Sequence, residues 1–229
     1  MLPEALSLHE ELMLLSLKDE EGTVIGGTMY PYAIGGAVVA ELAIDGRIAV
    51  DIDSQKLTVT DPTPIGDPLI DGWVSKMASS KKDQRVSYWV SQIAGTGDLK
   101  HRVAMQLVRR GILRATEDKV LLVFTRKIYP ELDPKPEQEL MHRLDRAIFG
   151  DEDVTARTAI LVALAHHSGL LRAVFDKKRL KARESRIAAL AEGSVAAGAT
   201  KEAISAMEAA MFVATVMPSI VATTVVVTS

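Results

Sequence analysis

The sequence predicts a mainly α protein: one helical-bundle domain over residues 1–229, with amphipathic peripheral helices and two small β-hairpins. Three observations predict it. Apolar residues recur at helical spacing through most of the chain, above all in its second half. Strict apolar/polar alternation is confined to two short segments. No repeat period and no stretch rich in Pro, Gly or Ser divides the 229 residues.

Ser7-Leu8-His9-Glu10 reads as a capping box opening a helix through Leu12, Leu14, Leu15 and Leu17. Asp19-Glu20-Glu21-Gly22 ends it, and a loop with Gly26 and Gly27 follows. A small, apolar helix over 32–44 is stopped by Asp45-Gly46. Ile48, Val50 and Ile52, then Leu57 and Val59, alternate with polar residues on either side of Asp53-Ser54-Gln55, the first hairpin. Helices are predicted over 68–78, 86–94 and 99–110. The second hairpin spans 112–124, with strands over 112–115 and 120–124 around Thr116-Glu117-Asp118-Lys119. Helical spacing then covers 137–149, 156–167, 170–175, 179–191 and a last stretch from 201. Ala209 to Ser229 is 21 residues without a charge, long enough to span a bilayer. Pro218, the repeated Ser and Thr, and the missing basic flank favour a buried core helix instead. Met1-Leu2-Pro3-Glu4 lacks the cationic start of a signal peptide, so a cytoplasmic protein is expected.

Hydrophobic residues at 48% suffice for a core, and aromatics at only 4% leave it to aliphatic side chains. The absence of Cys excludes disulfides, thiolate metal sites and Cys nucleophiles. His9, His101, His142, His166 and His167 form no metal-ligand motif, and no nucleophile elbow, Walker loop or dinucleotide fingerprint occurs. The expectation is no enzyme, no metal and no cofactor. A net charge of −3 weighs against nucleic acid and requires any positive patch to be local.

Two local patches stand out. Residues 177–186 hold Lys177, Lys178, Arg179, Lys181, Arg183 and Arg186, either a solvated face or a surface for a polyanion. In Gly95-Thr96-Gly97-Asp98-Leu99-Lys100-His101-Arg102, a glycine-rich turn runs into a helix start, with Asp98 as the expected cap. Exposed N–H groups and the helix dipole suit such an end to an anion. A helix followed at once by a hairpin also fits a winged-helix nucleic-acid binder, and a protein-interaction module without a lipid ligand is the third reading. Against the winged helix, Val103, Ala104, Leu107 and Val108 make the helix face apolar.

Leu12-Met13-Leu14-Leu15-Ser16-Leu17-Lys18-Asp19, Glu41-Leu42-Ala43-Ile44-Asp45-Gly46-Arg47-Ile48 and Pro64-Ile65-Gly66-Asp67-Pro68-Leu69-Ile70-Asp71 resemble the Golgi phosphoprotein three family. Tyr88-Trp89-Val90, Leu107-Val108-Arg109-Arg110-Gly111-Ile112-Leu113 and Ala163-Leu164-Ala165-His166 continue the likeness in order. The chain is similar to a shortened, bacterial-type member. The resemblance implies a mainly α, non-enzymatic peripheral membrane protein that binds phosphatidylinositol 4-phosphate and holds protein clients. It also implies a hairpin that serves self-association into a homo-oligomer or membrane contact, here with Leu121, Leu122, Val123 and Phe124 in a row. Packing against the core is the other reading of that apolar run. The family's headgroup pocket uses a tryptophan and three arginines. Their positions fall at Gly26, Gly35, Gly97 and Lys100, and Arg102 matches a further basic position. Glycines there would bare backbone N–H groups for a smaller anion, cradled by Lys100 and residues 98–102, or the pocket has been lost.

Overall fold

In the computed structural model, which describes residues 5–18, 23–24, 27–51, 53–120 and 124–193, helix α1 (Leu8–Leu15) lies wholly inside the protein. Its start is as predicted, with the Glu10 carboxylate accepting the Ser7 N–H at 3.0 Å. Burial extends to His9, Glu10 and Glu11, so this helix is buried all round rather than along one stripe. A two-residue antiparallel pairing of β1 (Leu17–Lys18) with β2 (Thr23–Val24) follows, too short to leave an alternation in the sequence. Helix α2 (Tyr30–Ile44) begins after a 3-10 turn at Gly27–Met29 and is buried through most of its length. The first hairpin forms where expected, as β3 (Ile48–Val50) paired with β4 (Leu57–Val59) from Ile48↔Val59 to Val50↔Leu57.

Helices α3 (Pro68–Ala78), α4 (Val86–Ala94) and α5 (Leu99–Arg109) match the periodicity closely. The second hairpin is displaced along the chain. Its strands are β5 (Thr116–Val120) and β6 (Phe124–Ile128), so Thr116-Glu117-Asp118-Lys119, expected as the turn, is strand. Ile112 and Leu113 are core residues instead, 6% and 1% exposed, and Leu113 makes one bridge to Glu131. A ribbon with its Thr116 and Glu117 side chains in water needs no apolar alternation.

Helices α6 (Lys135–Phe149), α7 (Ala156–His167) and α8 (Leu171–Val174) lead to a second departure. The helix expected over 179–191 is two, α9 (Lys177–Ala182) and α10 (Glu184–Ala191), broken at Arg183. The Arg183 guanidinium donates to the carbonyls of Ile148 at 3.0 Å and Gly150 at 2.5 Å. Arg186 donates to the carbonyl of Ala147 at 2.8 Å and to that of Glu152. Two arginines thus satisfy carbonyls that the end of α6 leaves without intrahelical donors. The mainly α architecture is the predicted one; the helix expected from 201 lies outside the described residues.

The helices close around α1 and α2. Gly35 sits where α2 crosses α4, and a Cβ there would stand 2.8 Å from the Val90 carbonyl oxygen. Only glycine permits that approach.

The buried polar groups of α1 and of the residues leading into it are met from four other helices and one helix cap. The Arg110 guanidinium of the α5 C-cap lies 2.8 Å from Glu10, and Arg143 of α6 lies 2.6 Å from Glu11. Glu41 of α2 accepts the Leu8 N–H at 2.7 Å and pairs with Arg157 of α7 at 2.6 Å. Arg157 also donates to the Leu6 carbonyl at 2.8 Å. Asp67, the N-cap of α3, accepts the N–H groups of Leu69 and Ile70 and the side-chain amide of Gln106 at 2.7 Å. That last bond turns the Gln106 oxygen toward His9, 2.9 Å away, so His9 Nε2 carries the proton. The same N–H faces Ser7 Oγ at 3.1 Å and Asp67 Oδ2 at 3.3 Å.

Burial opposes a charge on His9, but the hydrogen bond to Asp67 and the carboxylates of Asp67, Glu10 and Glu41 outweigh it and raise its pKa above the ordinary 6.5. For Asp67, burial is likewise overcome, by His9 and the N–H donors, and its pKa falls to about 2.

Three outcomes follow from this packing. Gly35→Ala is expected to destabilise the protein by about 1–3 kcal/mol through overpacking, read from a urea midpoint. Arg157→Leu, which leaves buried Glu41 without its partner, is expected to cost about 3–5 kcal/mol in the same assay. His9 contributes stability that is complete below pH 6.5 and lost as pH rises through its folded pKa. Asp67 contributes stability complete above pH 3.8 and lost as pH falls toward about 2. The difference in stability between the parent and His9→Asn is therefore expected to shrink as pH rises above 6.5.

Candidate anion-binding site

Helix α4 ends at Ala94, and the chain turns through Gly95, Thr96 and Gly97 into α5. At Gly97 a Cβ would meet nothing within 4 Å, so the space before the helix is open. Asp98 occupies the N-cap position, but it does not cap. Its backbone is left-handed, φ 58°, ψ 21°, and its side chain accepts no N–H of the first turn. Asp tolerates that conformation at about 1 kcal/mol, where most side chains would not adopt it. Leu99 N–H reaches the Thr96 carbonyl at 3.3 Å, while those of Lys100 and His101 have no acceptor among the described residues. Two backbone donors at the positive end of an eleven-residue helix therefore face open space.

Lys100 is half-buried, with Nζ 5.4 Å from the centroid of the Tyr30 ring at the start of α2. Arg102 is exposed one turn into the helix. Neither has an ion pair among the described residues. His101 Nδ1 lies 2.8 Å from the Tyr129 hydroxyl, a bond that ties the helix start to the chain leaving β6. Burial and the nearby Asp98 carboxylate raise the Tyr129 pKa, so its phenol stays protonated at neutral pH. Tyr30 and Tyr129 carried no readable sequence signal, because each reaches the site from a distant part of the chain.

Gly97 and Lys100 thus stand at one helix start, with Arg102 on the same turn but on a different face from Lys100. Gly35 does not join them, since the α4 backbone fills the space beside it. Gly26, Leu121, Leu122 and Val123 lie outside the described residues, and Phe124 opens β6. The basic run 177–186 stands on α9 and α10, elements separate from this junction. Among the described residues there is no group of metal-ligating side chains, and no helix is long and apolar enough to cross a membrane.

Vacuolar protein sorting-associated protein 74 of Eremothecium gossypii is 28% identical over 160 residues. The aligned part is 61% of this chain and 48% of the relative, so the match spans about half of the relative's length. The family model described as Golgi phosphoprotein 3 (GPP34) matches residues 8–207. Running from the first residue of α1 past the end of α10, that match means the chain belongs to the Golgi phosphoprotein 3 family.

Proposed function

We propose that this protein is a non-enzymatic peripheral membrane adaptor that contacts anionic, phosphoinositide-type lipid headgroups through the start of α5. The observation that carries the reading is the uncapped helix end: two N–H groups without an acceptor among the described residues, with Lys100 beside them and Arg102 on the same turn. A phosphate in that space would accept the N–H groups and meet the helix dipole and the Lys100 ammonium together. The space at Gly97 admits it, where an arginine would itself fill the entrance. Family membership and the sorting role in the relative's name support an adaptor that holds a protein client at a membrane. Contact through the second hairpin, formed by β5 and β6, with lipid or with a second copy, and a single domain over 1–229 belong to the same proposal.

The test is co-sedimentation of the full chain with phosphatidylcholine vesicles, alone or with phosphatidylinositol or its 4-phosphate, at two salt concentrations. Binding to the phosphoinositide vesicles is expected to exceed binding to the neutral ones and to fall with salt. Lys100→Ala is expected to weaken it by about tenfold, the scale of one charged hydrogen bond. Unchanged binding in that variant would rule out the α5 start as the headgroup site. A mobility shift of duplex DNA at physiological salt would favour the winged-helix alternative instead.

A further inference from the structure

The basic run at 177–186 is divided in two by its contacts. Its arginines are engaged: Arg179 pairs with Asp145 at 3.0 Å and stacks on Phe149, and Arg183 and Arg186 hold the end of α6. Its lysines 177 and 181 have no ion pair or hydrogen bond from their side chains among the described residues. They line one cavity of about 390 Å³ together with Arg172 of α8, His166 of α7 and Glu184 of α10. Buried Leu180 and Ile187 form the apolar part of its wall. The volume lies within the roughly 300–1,000 Å³ usual for small-ligand sites.

We infer that this cavity is a second anion site, built for a phosphate-bearing ligand. Three cations line it against one carboxylate, a repulsive arrangement that an anion relieves. Arg172 offers a planar fork that suits two oxygens of one phosphate, and Lys177 and Lys181 offer point charges at either side. Leu180 and Ile187 close one side, while Arg172, Lys177, Lys181 and Glu184 are exposed, so a ligand enters from solvent and its binding weakens with salt.

His166 reports on occupancy. Burial and the Arg172 charge lower its pKa, and Glu184 alone opposes them. The other groups facing it are the His167 ring, 5.0 Å away and itself held neutral by burial, and Lys177 and Lys181 across the cavity. A bound phosphate offsets the three cations and raises the His166 pKa. The site shares no residue with the start of α5, and it stands or falls independently of the function proposed there.

The experiment titrates the full chain with inorganic pyrophosphate at low salt and follows the histidine ring resonances by NMR. Saturable binding is expected, with the His166 pKa moving up. Lys177→Gln/Lys181→Gln is expected to weaken the binding that shifts the His166 resonance by about tenfold or more. Phosphatidylcholine vesicles containing phosphatidic acid separate the sources. Vesicle binding reduced by the double substitution makes a lipid headgroup the ligand, and vesicle binding untouched by it makes the ligand a soluble phosphate compound. No saturable binding of pyrophosphate, or equal affinity in the parent and in the double variant carrying Arg172→Gln as well, overturns the inference.

Discussion

A helix with no exposed residue that nevertheless carries His9, Glu10 and Glu11 constrains everything around it. Each ionisable group must be met by a partner, because a buried charge left alone costs several kcal/mol. The partners of its side chains come from α5, α6 and the N-cap of α3, while Glu41 of α2 and Arg157 of α7 meet the backbone at its start. Hydrophobic replacements of such pairs are often as stable or more so. What this polar centre adds to an aliphatic core is a single arrangement of helices among the many that close-packed Leu, Val and Ala would allow.

The start of α5 is placed by that centre from the far end of the same helix. Gln106 bonds to His9 and Asp67, Arg110 to Glu10, and both lie on the last turns and C-cap of α5. With that end fixed, the other end tolerates a left-handed Asp98 and two unbonded N–H groups. Local strain at a binding surface persists where the surrounding structure over-determines it, and here the determination is buried at the other end of the helix.

Element positions were legible wherever the information was local. The Ser7–Glu10 box and the periodicity of α3 to α7 lie within a few residues of what they specify. The break at Arg183 was not legible, because its cause is a set of carbonyls at 147–150, more than thirty residues away. The shift of the second hairpin has a similar origin: burial drew Ile112 and Leu113 into the core, and polar residues took their place in the ribbon. Within the candidate site, Lys100, Arg102 and Gly97 were readable as a glycine turn entering a basic helix start. Gly35 was read as an open position, yet the Val90 carbonyl of α4 stands where its Cβ would be, since a glycine in sequence looks the same in either setting. The capping role given to Asp98 failed on one backbone angle that residue identity does not dictate.

The arginine clamp also couples two regions in time. Arg183 and Arg186 donate to the last carbonyls of α6, so fraying of its final turn breaks bonds made by the α9–α10 segment, and opening of the one favours opening of the other. Lys177, Lys181, Glu184 and Ile187 ride on that segment. A ligand that binds only the closed form lowers the population of the open one. Occupancy of the cavity is thereby felt as slower amide hydrogen exchange at the end of α6, a helix that contributes no residue to its wall.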